Sequence, residues 1–335
     1  MTVRDVSHDD YEVVMNMASP DTFRDGFDYL PAKFHNYVDD PDTMFLLWEV
    51  DGEVVFLHVL FLQDGGQVIC LKTMRAAKKW QGKGVSKMFM AATTPRAVVK
   101  IIEKLGRLPN LLHAVTDIER PDMGTLHVHG TGNARRRLNA GSVINTMQFR
   151  CWDATTARDR LSALQISLPN LAPYRPTGDI HRLLPPSFSA DVLSKGLVFV
   201  DWDPHNLSES NMNKFVKAGC YILVDSTEPA ARSLSFGGSY MTPRGRVYHI
   251  DIHCKDEGLC KAHIITHVKN ACSQYTGMIT FNVMVIDKGL KDVVIQFCVQ
   301  YLQFQHLPHD HTFVHNDLDL GAYQKSAEPV PQSKY

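Results

Sequence analysis

A glycine- and lysine-rich segment in the first half of the chain has the composition of an anion-binding turn. Residues 80–86 read Trp-Gln-Gly-Lys-Gly-Val-Ser, directly after Lys78 and Lys79. Gly82 and Gly84 have no Cβ to obstruct an anion, so backbone N–H groups can bind it directly. Apolar residues at helical spacing follow and place the glycines where a strand passes into a helix. These residues are Val85, Met88, Phe89 and Ala92. The segment predicts a pyrophosphate-binding turn, and an ordinary solvated glycine turn is the alternative.

Two other phosphate-binding motifs do not fit this spacing. A P-loop needs GxxxxGK[ST], which residues 82–86 do not supply. A Rossmann fingerprint needs GxGxxG early in a βαβ unit, whereas these glycines follow a predicted antiparallel meander. Nucleotide hydrolysis and hydride transfer are therefore disfavoured.

The composition is that of a soluble globular chain. Its 335 residues, 44% of them hydrophobic and 21% charged, correspond to about two domains and exclude disorder, collagen and coiled coil. With 35 Lys+Arg against 36 Asp+Glu, no long-range field attracts nucleic acid or anionic lipid. The seven scattered cysteines form no CxxC pair, the N-terminal segment is charged, and no long apolar run occurs. We therefore predict a cytoplasmic protein that binds neither nucleic acid nor membrane.

Apolar periodicity predicts a mixed α/β order in the first half of the chain. The sequence predicts strands over residues 3–6, 44–50, 53–62, 67–74, 111–116 and 142–151, and helices over 11–17, 34–38, 85–92, 97–105 and 133–139. Asp51-Gly52 and Asp64-Gly65-Gly66 lie between strands as hairpin turns. Gly141 is expected to end the helix over 133–139.

A proline-rich stretch divides the chain. The prolines are Pro169, Pro173, Pro176, Pro185 and Pro186. They predict a first domain over 1–152, a connector over 153–196, a second domain over 197–310 and a tail over 311–335. In the second domain we predict strands over 197–200, 221–224, 232–236, 247–252 and 278–286, and helices over 209–218 and 259–272.

The glycine segment matches a known motif of the form Gln/Arg-x-x-Gly-x-Gly/Ala. Residues 81–86 read Gln-Gly-Lys-Gly-Val-Ser, with Ser86 in place of Gly or Ala. The segment and the element order resemble the GNAT family of N-acetyltransferases over about residues 1–152. In that family the loop binds the pyrophosphate of acetyl-CoA, the co-substrate. The resemblance implies cofactor-binding roles for Met74 and Arg75 at the end of the fourth strand. It implies the same role for Gln81, Gly82, Lys83, Gly84, Val85 and Ser86, and for Asn133.

Further segments narrow the resemblance. Residues 26–31 read Gly-Phe-Asp-Tyr-Leu-Pro, 200–202 read Val-Asp-Trp, and 208–211 read Ser-Glu-Ser-Asn. They resemble the histidine N-acetyltransferase family and its probable N-acetyltransferase relatives. The resemblance implies tandem GNAT-like domains, the second of them degenerate, and acetyl transfer from acetyl-CoA to the α-amine of free histidine in one ternary complex.

Acetyl transfer needs a neutral amine, a stabilised oxyanion and a proton for the departing thiolate. For the base we consider His58 on the third strand, His113 on the fifth, and Asp117 and Glu119 past its end; a water chain is the alternative, since an α-amine has a reference pKa of about 8. The tyrosine acid of many GNAT enzymes has no counterpart in residues 133–141.

An amino-acid acceptor needs partners for its carboxylate and its side chain. We expect Asp28, Tyr29 and Tyr37 on the acceptor side, with Arg75 as a possible carboxylate partner; both tyrosines can instead pack in the core. No metal is predicted, because His263 and His267 lack the glutamate of a zincin motif. Acetylation of another small amine or of a protein N-terminus, and a non-catalytic acyl-CoA-binding protein, are the alternative functions.

Overall fold

The protein has a mixed α/β fold in which helices and strands are interspersed along the chain. The computed structural model describes residues 2–17, 26–64, 68–83, 111–117, 139–174, 180, 184–193, 196–225, 231–308 and 311–319. The described helices are α1 (Tyr11–Met17), α2 (Leu30–Asp39), α3 (Ala154–Ala163), α4 (Pro186–Val192), α5 (Glu209–Lys217), α6 (Glu257–Gln274) and α7 (Leu290–Gln296), and a π-helical turn follows over Phe297–Tyr301. None of the helices in these ranges combines the length and the apolar composition that crossing a membrane requires.

The described strands fall into one large sheet and one separate hairpin. In chain order they are β1 (Thr2–Asp5), β2 (Thr43–Val50), β3 (Glu53–Gln63), β4 (Val68–Ala76), β5 (Leu111–Asp117), β6 (Asn139–Cys151), β7 (Ala172–Pro173), β8 (Leu197–Val200), β9 (Asp203–Asn206), β10 (Tyr221–Val224), β11 (Leu234–Thr242), β12 (Gly245–His253), β13 (Ile279–Val285), β14 (Gln305–His306) and β15 (His311–Asp319). The large sheet runs β1-β2-β3-β4-β5-β15-β6-β13-β12-β11-β10-β7, with β14 paired to β6, while β8 and β9 form the hairpin.

The same unit occurs in each half of the chain. In the first half, residues 1–152, β2, β3 and β4 form an antiparallel meander and β5 is parallel to β4. In the second half, residues 153–335, β10, β11 and β12 form the meander and β13 is parallel to β12, with α6 as the crossover. The predicted α/β fold with two related, tandem units is therefore confirmed.

The two units exchange strands where they meet. β15, the last described strand, pairs with β5 of the first half, and β6 of the first half pairs with β13 of the second. The predicted tail over 311–335 is therefore wrong for residues 311–319, because pairing on both sides satisfies the backbone of this polar segment. The same pairing places residues 139–141 in a strand and not at the end of a helix, since Asn139 and Ala140 lie opposite Asp317 and Asn316. The rest of the predicted helix lies outside the described residues.

Local sequence explains the first-half meander. Asp51 and Gly52 both have positive φ, 52° and 81°, so they form a two-residue turn with the twist that joins β2 to β3. On β3, Leu57 and Val59 face α1 and α2, while Phe56 and Leu60 face the opposite core. Both faces of this strand are therefore buried.

The predicted connector, 153–196, contains ordered elements that pack on the second half. Asp153 caps α3 by accepting from the backbone N–H of Thr155 and Thr156 at 3.3 and 3.0 Å. Ala157 and Leu161 of α3 enter the core around α6, and β7 pairs with β10. The domain boundaries at 152 and 197 stay a prediction.

One carboxylate joins the halves at the end of β3. Asp64, with φ 52°, accepts from the side-chain amides of Asn206 and Asn211 at 2.6 Å each. Asn211 also donates to the backbone oxygen of Asn206 at 2.8 Å. The contact ties the β3–β4 turn to the start of α5.

Asp64→Asn is expected to lower the free energy of unfolding by about 1–2 kcal/mol, because it removes charge-assisted hydrogen bonds to two amides. Asn tolerates positive φ, so backbone strain is not introduced. Asp51→Asn is the matched control, with the same residue type and the same φ of 52°. Equal urea midpoints for the two variants would contradict the role of Asp64.

Candidate functional site

A gap opens between β4 and β5 at their carboxyl ends. The two parallel strands pair over four residues, from Val68 opposite Leu111 to Leu71 opposite Ala114. Beyond that point β4 continues to Ala76 and β5 to Asp117 without further pairing to each other. The side of β4 that faces the gap offers backbone N–H and C=O groups to an extended ligand in the manner of an added strand.

A β-bulge lies in β4 beside this gap. Leu57 lies opposite Arg75 and Val59 opposite Lys72, so β4 has one residue more than β3 between these pairs. Thr73 within the bulge has φ 58°, a conformation that is rare for a non-glycine residue and clusters at functional sites. A bulge leaves one residue outside the ladder and re-aims its backbone groups.

The glycine turn follows β4 after one turn of 3-10 helix, Lys78–Trp80. Gly82 has φ 73°, and a Cβ built there would meet nothing within 4 Å, so the backbone is open to an approaching group. Lys83 lies with its Nζ 5.5 Å from the centre of the Trp80 ring, and Gln81 donates to the backbone oxygen of Ala76 at 3.1 Å. The described part of the predicted loop is thus exposed and adjoins the gap, which fits a bound pyrophosphate. Gly84, Val85 and Ser86 lie outside the described residues.

A buried ion pair holds the loop before α2 against β4. Asp28, with 0% of its surface exposed, and Arg75, with 3%, form a two-pronged pair, Nη1 to Oδ2 at 2.8 Å and Nη2 to Oδ1. Asp28 also accepts from the backbone N–H of Leu30 at 2.9 Å. The two side chains therefore bind each other in the space between the loop and β4. The structure gives Asp28 a positioning contact where a contact with substrate was expected.

Polar side chains from both halves meet beside the bulge. Tyr29 hydrogen-bonds through its hydroxyl to the Thr73 hydroxyl at 2.7 Å. Lys33 of α2 forms an ion pair with Asp201 in the β8–β9 turn, and its Nζ lies 4.9 Å from the centre of the Tyr240 ring. We call Tyr29, Lys33, Thr73, Asp201 and Tyr240 the inter-half cluster.

The β11–β12 hairpin of the second half closes over this cluster. The backbone N–H of Arg244 donates to the backbone oxygen of Gly26 at 3.2 Å. Gly26 has φ 83°, and a Cβ there would lie 2.6 Å from Cγ of Arg244, so the close approach requires glycine. The second half therefore forms one wall of the space next to the bulge.

A histidine–aspartate pair on β12 lies next to the cluster. His249 Nδ1 is 2.8 Å from Asp251 Oδ2, and that oxygen also accepts from the backbone N–H of Asp201 at 2.7 Å. The Asp251 and Asp201 carboxylates outweigh burial and the Lys33 charge, and together they raise the pKa of His249. The pKa of His249 is therefore higher than that of a buried histidine without carboxylate neighbours.

The predicted base His58 is buried within the first-half sheet. His58 points to the face of β3 opposite Leu57 and Val59, and burial lowers its pKa to about 3, so it is neutral and weakly basic at pH 7. The backbone of Asp117 ends β5, paired with Phe313 on the side away from β4. Glu119 and Asn133 lie outside the described residues, and a base role for Asp117 or Glu119 stays a prediction.

Two other predicted residues are at least partly in the core. The ring of Tyr37 packs edge-on against Phe45 and Phe61, with centroids 6.2 and 5.1 Å away. Met74 packs against the core on the other face of the sheet. Tyr37 is thus placed by packing, and Met74 offers its backbone in the bulge region.

Sequence reasoning did not select Lys33, Tyr240, His249 or Asp251. The one available signal was the Val200-Asp201-Trp202 segment, which the resemblance singled out without giving it a role. Asp201 and Trp202 both have positive φ, 49° and 75°, so they form the turn that brings Asp201 to α2.

The buried histidines of α6 form a hydrogen-bonded chain with serines. His263 lies 2.7 Å from Ser233 Oγ and 2.6 Å from Ser235 Oγ, and His267 Nε2 lies 2.8 Å from the same Ser235 Oγ. Burial lowers the pKa of His263 to about 3 and that of His267 below its ordinary value. In the described part of the chain no three His, Cys, Asp or Glu side chains are placed to hold a metal ion.

The second half has the same topology without the gap. β12 and β13 pair continuously over seven residues, from Arg246 opposite Ile279 to Ile252 opposite Val285. The residues after β12 lead into α6 through the Asp256 cap and contain no glycine pair. Only the first unit therefore offers an open strand side next to a glycine turn within the described ranges.

These features define the fold of the GNAT N-acetyltransferases. A GCN5-related N-acetyltransferase from Sphaerobacter thermophilus superposes with a TM-score of 0.50 over 95% of each chain, at 8% sequence identity. By sequence, residues 167–286 match the family described as histidine N-acetyltransferase, C-terminal.

Curated relatives extend the similarity over most of the chain. The human probable N-acetyltransferase 16 is 26% identical over 82% of this chain and 74% of its own length. The histidine N-acetyltransferase of Scomber australasicus is 24% identical over 89% of this chain and 88% of its own. The predicted resemblance to GNAT proteins, and to histidine N-acetyltransferase and its relatives, is confirmed.

Proposed function

We propose that the chain is an acetyl-CoA-dependent N-acetyltransferase that acetylates the α-amine of a free amino acid, L-histidine first, by direct attack in a ternary complex. The observation that carries this proposal is the gap between β4 and β5, which opens next to the exposed glycine turn and the inter-half cluster. The curated relatives named for histidine N-acetylation support the choice of acceptor.

The donor would bind along β4. The unpaired side of β4 suits the amide groups of a pantetheine arm, and the turn at Gln81–Lys83 suits its pyrophosphate. The bulge at Thr73 would direct a backbone N–H at the thioester carbonyl, where negative charge develops during attack.

The acceptor would bind between the halves. Closure of the space by the β11–β12 hairpin favours a small acceptor over a protein N-terminus, which needs an open groove. Lys33 is the cation of the inter-half cluster, and its ammonium, which pairs with Asp201, would supply the positive charge that an acceptor carboxylate needs.

Thiol release from acetyl-CoA tests the proposal. The purified full chain is assayed with the twenty free amino acids, several peptides with free N-termini and polyamines. Turnover with histidine, and with few or no other acceptors, is the expected result. Turnover with peptides alone would redirect the assignment to protein N-termini, and tight CoA binding without any turnover would make the chain a non-catalytic acyl-CoA-binding protein.

Gly84→Glu is expected to weaken CoA binding at least about 100-fold, because a side chain and a negative charge would meet the pyrophosphate. Isothermal titration with CoA measures the effect. Val13→Glu, which adds the same charge on the exposed side of α1, is the control and should bind CoA as the wild type does. Unchanged affinity in Gly84→Glu would reject the loop assignment.

A further inference from the structure

His249 and Asp251 form a polarised pair on the face of β12 that looks toward the first half. The two residues are separated by one position in a strand, so their side chains lie on the same face. Asp251 is fully buried and holds Nδ1 of His249 at 2.8 Å. Since an ionised carboxylate can only accept, Nδ1 carries the proton and Nε2 carries the lone pair.

The basic nitrogen of His249 is turned away from its carboxylate partner. Across the ladder it faces Gly238 of β11, where a Cβ would collide with Nε2. The side chain keeps 9% of its surface exposed, and Nε2 makes no hydrogen bond to any described residue. Glycine at position 238 therefore gives the imidazole room to lie against β11.

The pair belongs to the wall of the inter-half cluster. Gly238 and Tyr240 are two residues apart on β11 and therefore lie on the same face of the strand. The Tyr240 ring contacts Lys33 and Tyr29. The charge of Lys33 acts on His249, as does that of Asp201, whose backbone N–H is held by Asp251. The titratable and charged groups around His249 are Asp251 on β12, Asp201 in the β8–β9 turn, Lys33 on α2, Tyr240 on β11 and, through the sheet, His267 on α6.

We propose that His249, supplied by the second half, is the general base of the acetyl transfer carried out at the first half, and that Asp251 is its positioning residue. The proposal rests on the function proposed above. It assigns a catalytic contribution to a unit that has no acetyl-CoA gap of its own.

The proton balance is complete without a further reactant. Nε2 of His249 accepts one proton from the acceptor ammonium, and the neutral amine then forms the N–C bond to the thioester carbonyl. As the C–S bond breaks, the second proton of the nitrogen passes to the departing thiolate. The imidazolium returns its proton to solvent, and Asp251 stabilises the positive charge while it lasts.

His249→Gln and Asp251→Asn test the assignment, with His205→Gln as the matched control. Gln retains a donor toward Asp251, and His205 packs its ring edge-on against Phe215, with centroids 4.8 Å apart. The wild type is assayed first, since silence with every acceptor defeats the proposed function and leaves no kinetics to interpret. With an active wild type, kcat is expected to fall about 100- to 10,000-fold in His249→Gln and less in Asp251→Asn, with KM for both substrates little changed.

The pH profile separates a base from a structural residue. The wild type and His205→Gln should lose kcat as pH falls through the raised pKa of His249. His249→Gln should lose that limb and gain activity as pH rises toward the pKa of the amine. A histidine that binds the acceptor carboxylate would raise KM and leave the limb in place. Wild-type kcat and an intact acid limb in His249→Gln would overturn the proposal.

A measurement on the wild-type protein covers the case in which the variants do not fold. Diethyl pyrocarbonate modifies accessible neutral imidazoles, and peptide mass spectrometry identifies the position. Modification of His249 should parallel the loss of activity, and bound histidine should slow both equally. Full activity after complete modification of His249 would also overturn the proposal.

Discussion

Replacing Asp28 with alanine is expected to lower the free energy of unfolding by about 3–5 kcal/mol, because the guanidinium of Arg75 stays buried without its partner. The pair is almost wholly inaccessible, with side chains 0% and 1% exposed. The hydrogen bond from the backbone N–H of Leu30 to Asp28 is lost as well. Urea unfolding at pH 7.5 measures the change.

A double variant separates stability from orientation. Asp28→Leu combined with Arg75→Met replaces the ion pair by apolar groups of similar volume and is expected to regain most of the lost stability. Acetyl transfer should nevertheless stay impaired, since the loop that precedes α2 and carries Tyr29 is no longer fixed to β4. A single Asp28→Ala variant as stable as the wild type would contradict the role of the pair.

Much of the fold could be predicted because local signals and long-range pairing agree. Asp51-Gly52 forms the predicted hairpin turn, and the helix predicted over 259–272 is observed over Glu257–Gln274, where Asp256 caps its start. The segment at 311–319 had no such local signal. Its polar sequence is typical of a tail, and only pairing with β5 and β6, far away in sequence, makes it a strand.

The candidate site could likewise be predicted only where its sequence signal is local. The glycine turn could be predicted because the need for residues without side chains concerns neighbouring positions. The inter-half cluster was not, because Lys33 and Asp201 are separated by 168 residues and meet only when the β8–β9 turn folds over α2. His249 likewise lies opposite Gly238 only because of the register between β11 and β12.

Acid is expected to unfold the protein at a pH well above the ordinary pKa of a carboxylate, which is about 4. Burial lowers the pKa of His58 and His263 to about 3 and that of His253 to about 4, and it lowers the pKa of His267 also. The folded chain therefore keeps these imidazoles neutral while the unfolded chain protonates them below about pH 6.5. Stability is fully present above that pH and is lost as pH falls toward the folded pKa values.

The size of the effect follows from the number of histidines. At pH 5 His58, His253 and His263 are each expected to cost about 2 kcal/mol, a total comparable to the whole stability of a marginally stable domain. His267 acts in the same direction. His249 opposes the trend, since its raised pKa adds stability on the acid side. Cooperative unfolding near pH 5, followed by circular dichroism, is the expected outcome.

The variant His58→Gln tests how much one buried histidine contributes to the pH dependence of the free energy of unfolding. Its free energy of unfolding should depend less steeply on pH between 6 and 4.5, by up to about 1.4 kcal/mol per pH unit, because one imidazole no longer titrates in the unfolded chain. Ile250→Val is the control for packing loss alone. It removes a buried methylene and is expected to cost about 1 kcal/mol at every pH, without changing the slope. Parallel curves for His58→Gln and the wild type would show that His58 does not contribute to the acid sensitivity.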